Sequence, residues 1–445
     1  MDLLVEKLDG SRYYLSQYKV LITEFEESAP SVTRNSKQID QRNGNIDFGG
    51  WHTDKTINIT GYYRADDVDD EETLREKLYA LLSDPDGYYI TQLKATPSVA
   101  MERPGETSGG YYDKLKDYPS HKRFLVYTEA PEMELVGNVN GTLLYKLTAE
   151  FKTIKLPYGE TPSRDVVLSK NKASAVGTNL LKNTSDFSSN WSSWPGQFSI
   201  SKTMEYNGHP SMVFASSNSL NLALQNIGEM ESSAQYTSSF WAKADNAGDR
   251  AHTELYGGVG ATDFVLTTNW VRYSAVLTSI TDVNTNIQYS NCYFGVHVGN
   301  KRNVYIALPK LEKGSVATDW CPNPADAGYH KWYLDTYYNT NNLVIPYAGT
   351  VPCNQLEQGF TIELTVKDAA SSLSFKIDET ELTYSGAVAS GDVFLLNGFS
   401  YTQNGLSIVS KTNKAYFILQ PDKPNRITCN VHGTVRILGF QNLYA

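Results

Sequence analysis

Seven histidines (52, 121, 209, 252, 297, 330 and 432) are the residues best suited to hold a metal or move protons, yet none falls in H-E-x-x-H or a comparable ligand spacing. The chain has no G-x-S-x-G elbow, no G-x-x-x-x-G-K-[ST] loop and no G-x-G-x-x-G turn. No catalytic residue and no metal site can therefore be assigned from motifs. A glycosidase needs only two carboxylates placed by its fold, and 49 acidic residues leave such a pair open.

Splitting the strand-like stretches of the middle third into their two faces gives a more specific chemistry. In Tyr236 to Lys243, Tyr236 and Phe240 share one face while Trp241 and Lys243 share the other. In Ala251 to Tyr256 the small and apolar residues alternate with His252, Glu254 and Tyr256. Cys292 to Val298 turns Cys292, Phe294 and two valines to the core and leaves Tyr293 and His297 outside; Leu220 to Gln225 is expected to send out Asn221 and Gln225. Aromatic rings mixed with planar polar side chains are what a saccharide needs, because the C–H faces of a pyranose stack on flat rings while its hydroxyls seek Asn, Gln, Glu and His. Trp191 and Trp194 lie in a turn-rich loop where an exposed indole lacks a structural reason, and they join this candidate set. For Trp241, Tyr256 and Tyr293, ligand contact and simple cover by a loop both stay open, whereas Trp270 and Trp320 read as packing residues. Asp186, Glu312 and Asp319, near the two ends of the same segment, offer oxygen ligands of the kind a structural Ca2+ takes, although a solvated acidic face explains them as well. No other cofactor is indicated.

These residues need a scaffold, and 445 residues at 40% hydrophobic content suffice for about three domains. The first, over residues 1–165, reads as strands around one helix. Leu74, Leu78, Leu81 and Leu82 mark one helical face between Asp69 and Ser83, opened by acidic residues and closed before Pro85. Thr56 to Tyr63 alternates with period two, and Asn43-Gly44 ahead of it is a hairpin turn. Periodicity fades between Pro157 and Ala175. Residues 178–322 are rich in Ser, Asn, Thr and Trp with short alternating runs, the pattern of a β-sandwich, and residues 327–445 read as a second one, to which 166–176 could add a strand. The fold class is thus mainly β in three domains.

The net charge of -10 argues against nucleic-acid binding, and no apolar run approaches the length of a membrane span. Asp2, Glu6 and Lys7 interrupt the apolar start, which excludes a secretory signal, and four widely spaced cysteines suggest free thiols.

Asn179 to Asn183, Tyr236 to Lys243, Asn269 to Tyr273 and Leu311-Glu-Lys-Gly-Ser-Val-Ala-Thr-Asp-Trp320, in that order, resemble the jelly-roll carbohydrate-binding modules of secreted glycosidases and phage tail proteins. Gly44 to Gly49, Ile57 to Gly61 and the Asp69 to Ser83 helix resemble the N-terminal domain of the distal tail protein (Dit) family of siphophages that infect Gram-positive bacteria. Gly391 to Gly398 resembles that family's galectin-like C-terminal domain. The resemblance implies an "evolved" Dit carrying an added sugar-binding module. It would be a structural hub of the virion tail tip or baseplate, assembled in the host cytoplasm as a homo-hexamer ring between the tail tube protein and the tail-associated protein. Receptor-binding proteins and host cell-wall polysaccharide would be further partners, and enzymatic activity is not expected. The alternative is a glycan-degrading enzyme with an appended binding module.

Overall fold

The structure is a computed structural model and describes residues 1–94, 103–105, 110–168, 176–193, 197–215, 221–255, 261–280, 291–296 and 300–445. It is mainly β, with four α-helices among the described residues: α1 (Val68–Leu82), α2 (Tyr111–Leu115), α3 (Tyr329–Tyr337) and α4 (Gln355–Gln358). The chain packs as two compact units, Met1–Leu168 with Thr340–Ala445 and Ser169–Asn339.

The first unit begins with an eight-stranded antiparallel sheet. Its longest strands, Thr56–Ala65 and Thr142–Thr153, pair from Leu143↔Ala65 to Lys152↔Thr56, and Val20–Glu27 flanks them. The expected helix is α1. Asp67 caps it by accepting from the Asp70 amide at 2.8 Å, and Asp69, Asp70 and Glu71 fill the first turn, where carboxylates complement the helix dipole. Leu74, Leu78, Leu81 and Leu82 are buried on the sheet beside Ile57, Ile59 and Phe151. Glu71 is buried as well; Tyr63 Oη donates to its carboxylate at 2.8 Å and Arg75 pairs with it at 2.6 Å. The Asn43-Gly44 turn closes a separate two-stranded ribbon, Val32–Gln38 with Asn45–His52.

The same unit ends in two facing sheets around Phe360, Phe375, Phe394 and Phe417. Gly159–Glu160 pairs with Leu443–Tyr444, and Arg164–Leu168 lies alongside Gly433–Phe440 as the edge of a six-stranded sheet. The stretch in which sequence periodicity fades therefore contains a strand of this last sandwich. The chain leaves the unit after Leu168 and returns at Thr340, whose hydroxyl donates to the Val431 carbonyl.

The second unit is a sandwich of two five-stranded sheets. The front sheet runs Ser192–Ser193, Asn221–Asn226, Asn291–Val296, Arg250–Leu255, Thr262–Val265; the back sheet runs Ser199–Tyr206, His209–Phe214, Val304–Lys313, Gln235–Ala244, Val271–Thr278. Phe214, Phe240, Phe294 and Ile306 fill the space between them. A polar contact, Ser238 Oγ to Thr253 Oγ1 at 2.7 Å, joins the sheets inside this core.

Candidate saccharide-binding face

In an antiparallel sheet, directly opposed residues share a face. On the front sheet Ala251, Thr253 and Leu255 point to the core with Val296, Phe294 and Cys292, and this register puts Asn221, Ala223 and Gln225 on the core side too. The outer face carries two rows. One is Asp263, His252, Gly295, Leu222; the other is Glu254, Tyr293, Leu224, Ser192.

His252 organises the outer face. Its Nδ1 lies 2.6 Å from Asp263 Oδ1 and its Nε2 lies 3.2 Å from Glu254 Oε2, so one imidazole ties two carboxylates on neighbouring strands. Burial disfavours the imidazolium, but hydrogen bonds and charge from Glu254 and Asp263 outweigh it and raise the His252 pKa above the ordinary value. The carboxylates remain reachable: the side chains of Glu254 and Asp263 are 29% and 36% exposed against 13% for His252. An ionised carboxylate has about four acceptor sites. Glu254, which meets the imidazole through one oxygen, therefore keeps capacity for a ligand hydroxyl. Next to His252 the sheet admits only glycine, because a Cβ at Gly295 would come within 2.2 Å of the Asn221 carbonyl.

The sequence expectations divide against this geometry. His252 and Glu254 are together on the outer face as expected. Tyr293 shares that face but is only 6% exposed, so it underlies the surface. Asn221 and Gln225 are corrected: they point inward. The Gln225 amide accepts from the Lys182 N–H at 2.6 Å and donates to the Lys182 carbonyl at 2.9 Å, bracing the strap that enters the unit. Their outward places belong to Leu222 and Leu224. Trp241 is corrected also, since its strand belongs to the back sheet. Trp191 packs on the core edge, 5.8 Å from the Phe187 ring and 6.2 Å from Phe294, with its indole N–H buried. Trp194, Tyr256 and His297 lie outside the described residues. Asp263 was not singled out from sequence, because only cross-strand pairing brings it to His252.

The back sheet explains the residues that carry the module resemblance. Lys310 and Glu312 form an ion pair at 3.2 Å with side chains 0% and 1% exposed. Lys310 Nζ also donates to Thr318 Oγ1 at 2.6 Å and to the Asp319 carbonyl at 2.7 Å, while Glu312 accepts from the Thr318 amide at 2.8 Å. Asn179 accepts from the Leu181 and Leu311 amides and donates to the Cys321 carbonyl at 2.9 Å; Trp320 Nε1 donates to Thr184 at 3.1 Å. The stretches 179–184 and 310–321 therefore tie the two ends of the module together. For the Ca2+ expectation, Glu312 is engaged by Lys310, Asp319 is exposed and 3.7 Å from Arg272, and Asp186 accepts from the Ser188 amide. Among the described residues no three His, Cys, Asp or Glu side chains are grouped to hold an ion. No described helix is long and apolar enough to cross a membrane.

No curated relative matches the chain. Among solved structures, the chain aligns over its whole length with 99% of the SPP1 Dit (gp 19.1) protein, a hub of the adsorption apparatus in phages infecting Gram-positive bacteria, at 8% identity and a TM-score of 0.43. It also aligns over 72% of its length with 99% of a chain of the phage p2 baseplate, at 11% identity and a TM-score of 0.28. A third of the chain, 33%, aligns with all of the CBM22-1 xylan-binding domain of Paenibacillus barcinonensis Xyn10C, at 12% identity and a TM-score of 0.25. Residues 8–143, which include α1 and six of the eight strands of the first sheet in full, match the family model described as a phage tail protein RIFT-related domain.

Proposed function

We propose that the chain is a structural hub of a phage tail tip whose inserted module, 169–339, binds host cell-wall saccharide during adsorption. The phage tail family match over residues 8–143 supports the structural half. One observation carries the adhesive half: the Glu254 and Asp263 carboxylates, about a third exposed and held by His252 on the outer face of the front sheet.

That arrangement suits binding better than turnover. Pre-oriented carboxylates accept hydrogen bonds from sugar hydroxyls without first giving up rotamer freedom, which lowers the entropy cost of a weak contact. The first unit supplies the platform, and a homo-hexamer ring seated between tail tube and tail-associated protein would present six modules at once. Six weak sites acting on a repeating surface polymer gain effective affinity through avidity. Virion location and cytoplasmic assembly follow from the same reading, as does the absence of a catalytic role.

The test is retention of the full chain on purified Gram-positive cell-wall polysaccharide. His252→Ala with Glu254→Ala is expected to lower retention at least about tenfold, the scale of two lost charge-assisted hydrogen bonds. Undiminished retention would remove this face from the account, and release of reducing ends from the polysaccharide would favour the enzymatic alternative.

A further inference from the structure

The outer face of the back sheet is sealed over one half and left to aromatic rings over the other. Over Lys310 and Glu312 the seal is backbone: the strap at 177–179 and the closing stretch 318–321 bring both side chains to 1% exposure or less. Around Trp241 the described cover is different. Trp241 faces outward in register with Arg272 and Ala307, and Tyr206 lies on it at 4.2 Å with the planes 23° apart. The Asn207-Gly208 turn, with both residues at positive φ, swings Tyr206 back to this position. Trp270 leans on Tyr206 at 5.5 Å and 52°. All three rings are half-buried. Lys243, two residues beyond Trp241 and on the same side, holds its ammonium 5.7 Å from the Tyr305 ring centre.

We propose that Tyr206, Trp241 and Trp270 form a second saccharide platform on the back of the module, with Lys243 as its polar partner. The inference rests on the saccharide-binding reading above and adds a site with different chemistry. The front face offers carboxylates on a bed of Leu222, Leu224 and Tyr293; the back offers a cluster of stacked and tilted aromatic rings on the same side as a cation. Pyranose C–H faces stack on such rings, and an ammonium donates to ring hydroxyls or to an acidic substituent. Purely structural cover would be expected to take the sealed form that the same module uses over Lys310. A protein occupant is the competing outcome. A stable protein interface needs roughly 800 Å² from each partner, far more than three half-buried rings supply.

Two platforms on opposite faces make each module bivalent toward a polymer. The deciding experiment is affinity electrophoresis of the full chain through gels cast with Gram-positive wall polysaccharide. It compares the wild type, a front variant (His252→Ala with Glu254→Ala) and two back variants (Trp270→Ala and Lys243→Gln). The front variant is expected to keep a measurable retardation. Either back variant is expected to lose about fivefold in retardation relative to the wild type, and Trp270→Ala added to the front variant to abolish it. Lys243→Gln is a surface change that keeps the inference testable if Trp270→Ala perturbs folding. Retardation abolished by the front variant and untouched by both back variants would overturn the second platform alone. No retardation of the wild type would overturn the saccharide reading and this inference with it.

Discussion

Two ion-paired clusters of the same module, made of similar groups, have opposite consequences. Lys310 and Glu312 on the back sheet are sealed from water and meet the Thr318 and Asp319 groups, so their charges are spent on closing the fold. Asp263, His252 and Glu254 on the front sheet are linked as tightly, but two of the three side chains are about a third exposed. Burial, more than residue type, separates a latch from a candidate binding face.

Breaking the latch has the largest expected effect. Lys310→Met leaves Glu312 charged and unpaired in the interior and is expected to cost about 3–5 kcal/mol of stability, read by urea unfolding. Saccharide retention under stabilising conditions should be kept. Gly177→Ala attacks the same latch sterically: a Cβ there would lie 2.1 Å from Glu312 Oε2. It should cost about 1–3 kcal/mol. On the front face the order of effects reverses. His252→Ala is expected to change stability by less than about 1 kcal/mol, as partly exposed ion pairs generally do, while most saccharide retention is lost.

The His252 bridge also predicts a pH dependence that sharpens the contrast. Its folded pKa is raised, so the bridge is fully formed below the ordinary histidine value and is lost as pH rises through the folded one. Retention should accordingly fall as pH is raised from the ordinary histidine range to well above it, and Glu254→Gln should shift that decline to lower pH. A flat profile across this range would show that the bridge does not organise the face.

The helix α1 was legible in sequence because three signals agree there: leucine spacing, an acidic first turn and a terminating proline. The strands at 221–226, 235–244, 250–255 and 291–296 were legible for the same reason of period, whereas Val304–Lys313 and its neighbour His209–Phe214 were not. Which side of a strand faces the core was less so. In Asn221–Asn226 the alternation is real, but Leu222 and Leu224 face outward and Gln225 is consumed by the Lys182 backbone. Period two separates two faces without saying which is inside, and the error arises when both are covered. Sheet membership was invisible as well, so Trp241 was grouped with His252 although they lie on different sheets. Asp263 escaped notice since a cross-strand partner has no signature along the chain.

The central claim is that the front face of the module holds host wall saccharide through the carboxylates tied to His252. The most direct measurement is retention of the full chain on Gram-positive wall polysaccharide, comparing the wild type with His252→Ala plus Glu254→Ala at matched folded fraction. The account predicts retention by the wild type and a loss of about tenfold or more in the variant. Equal retention of the two proteins would contradict it.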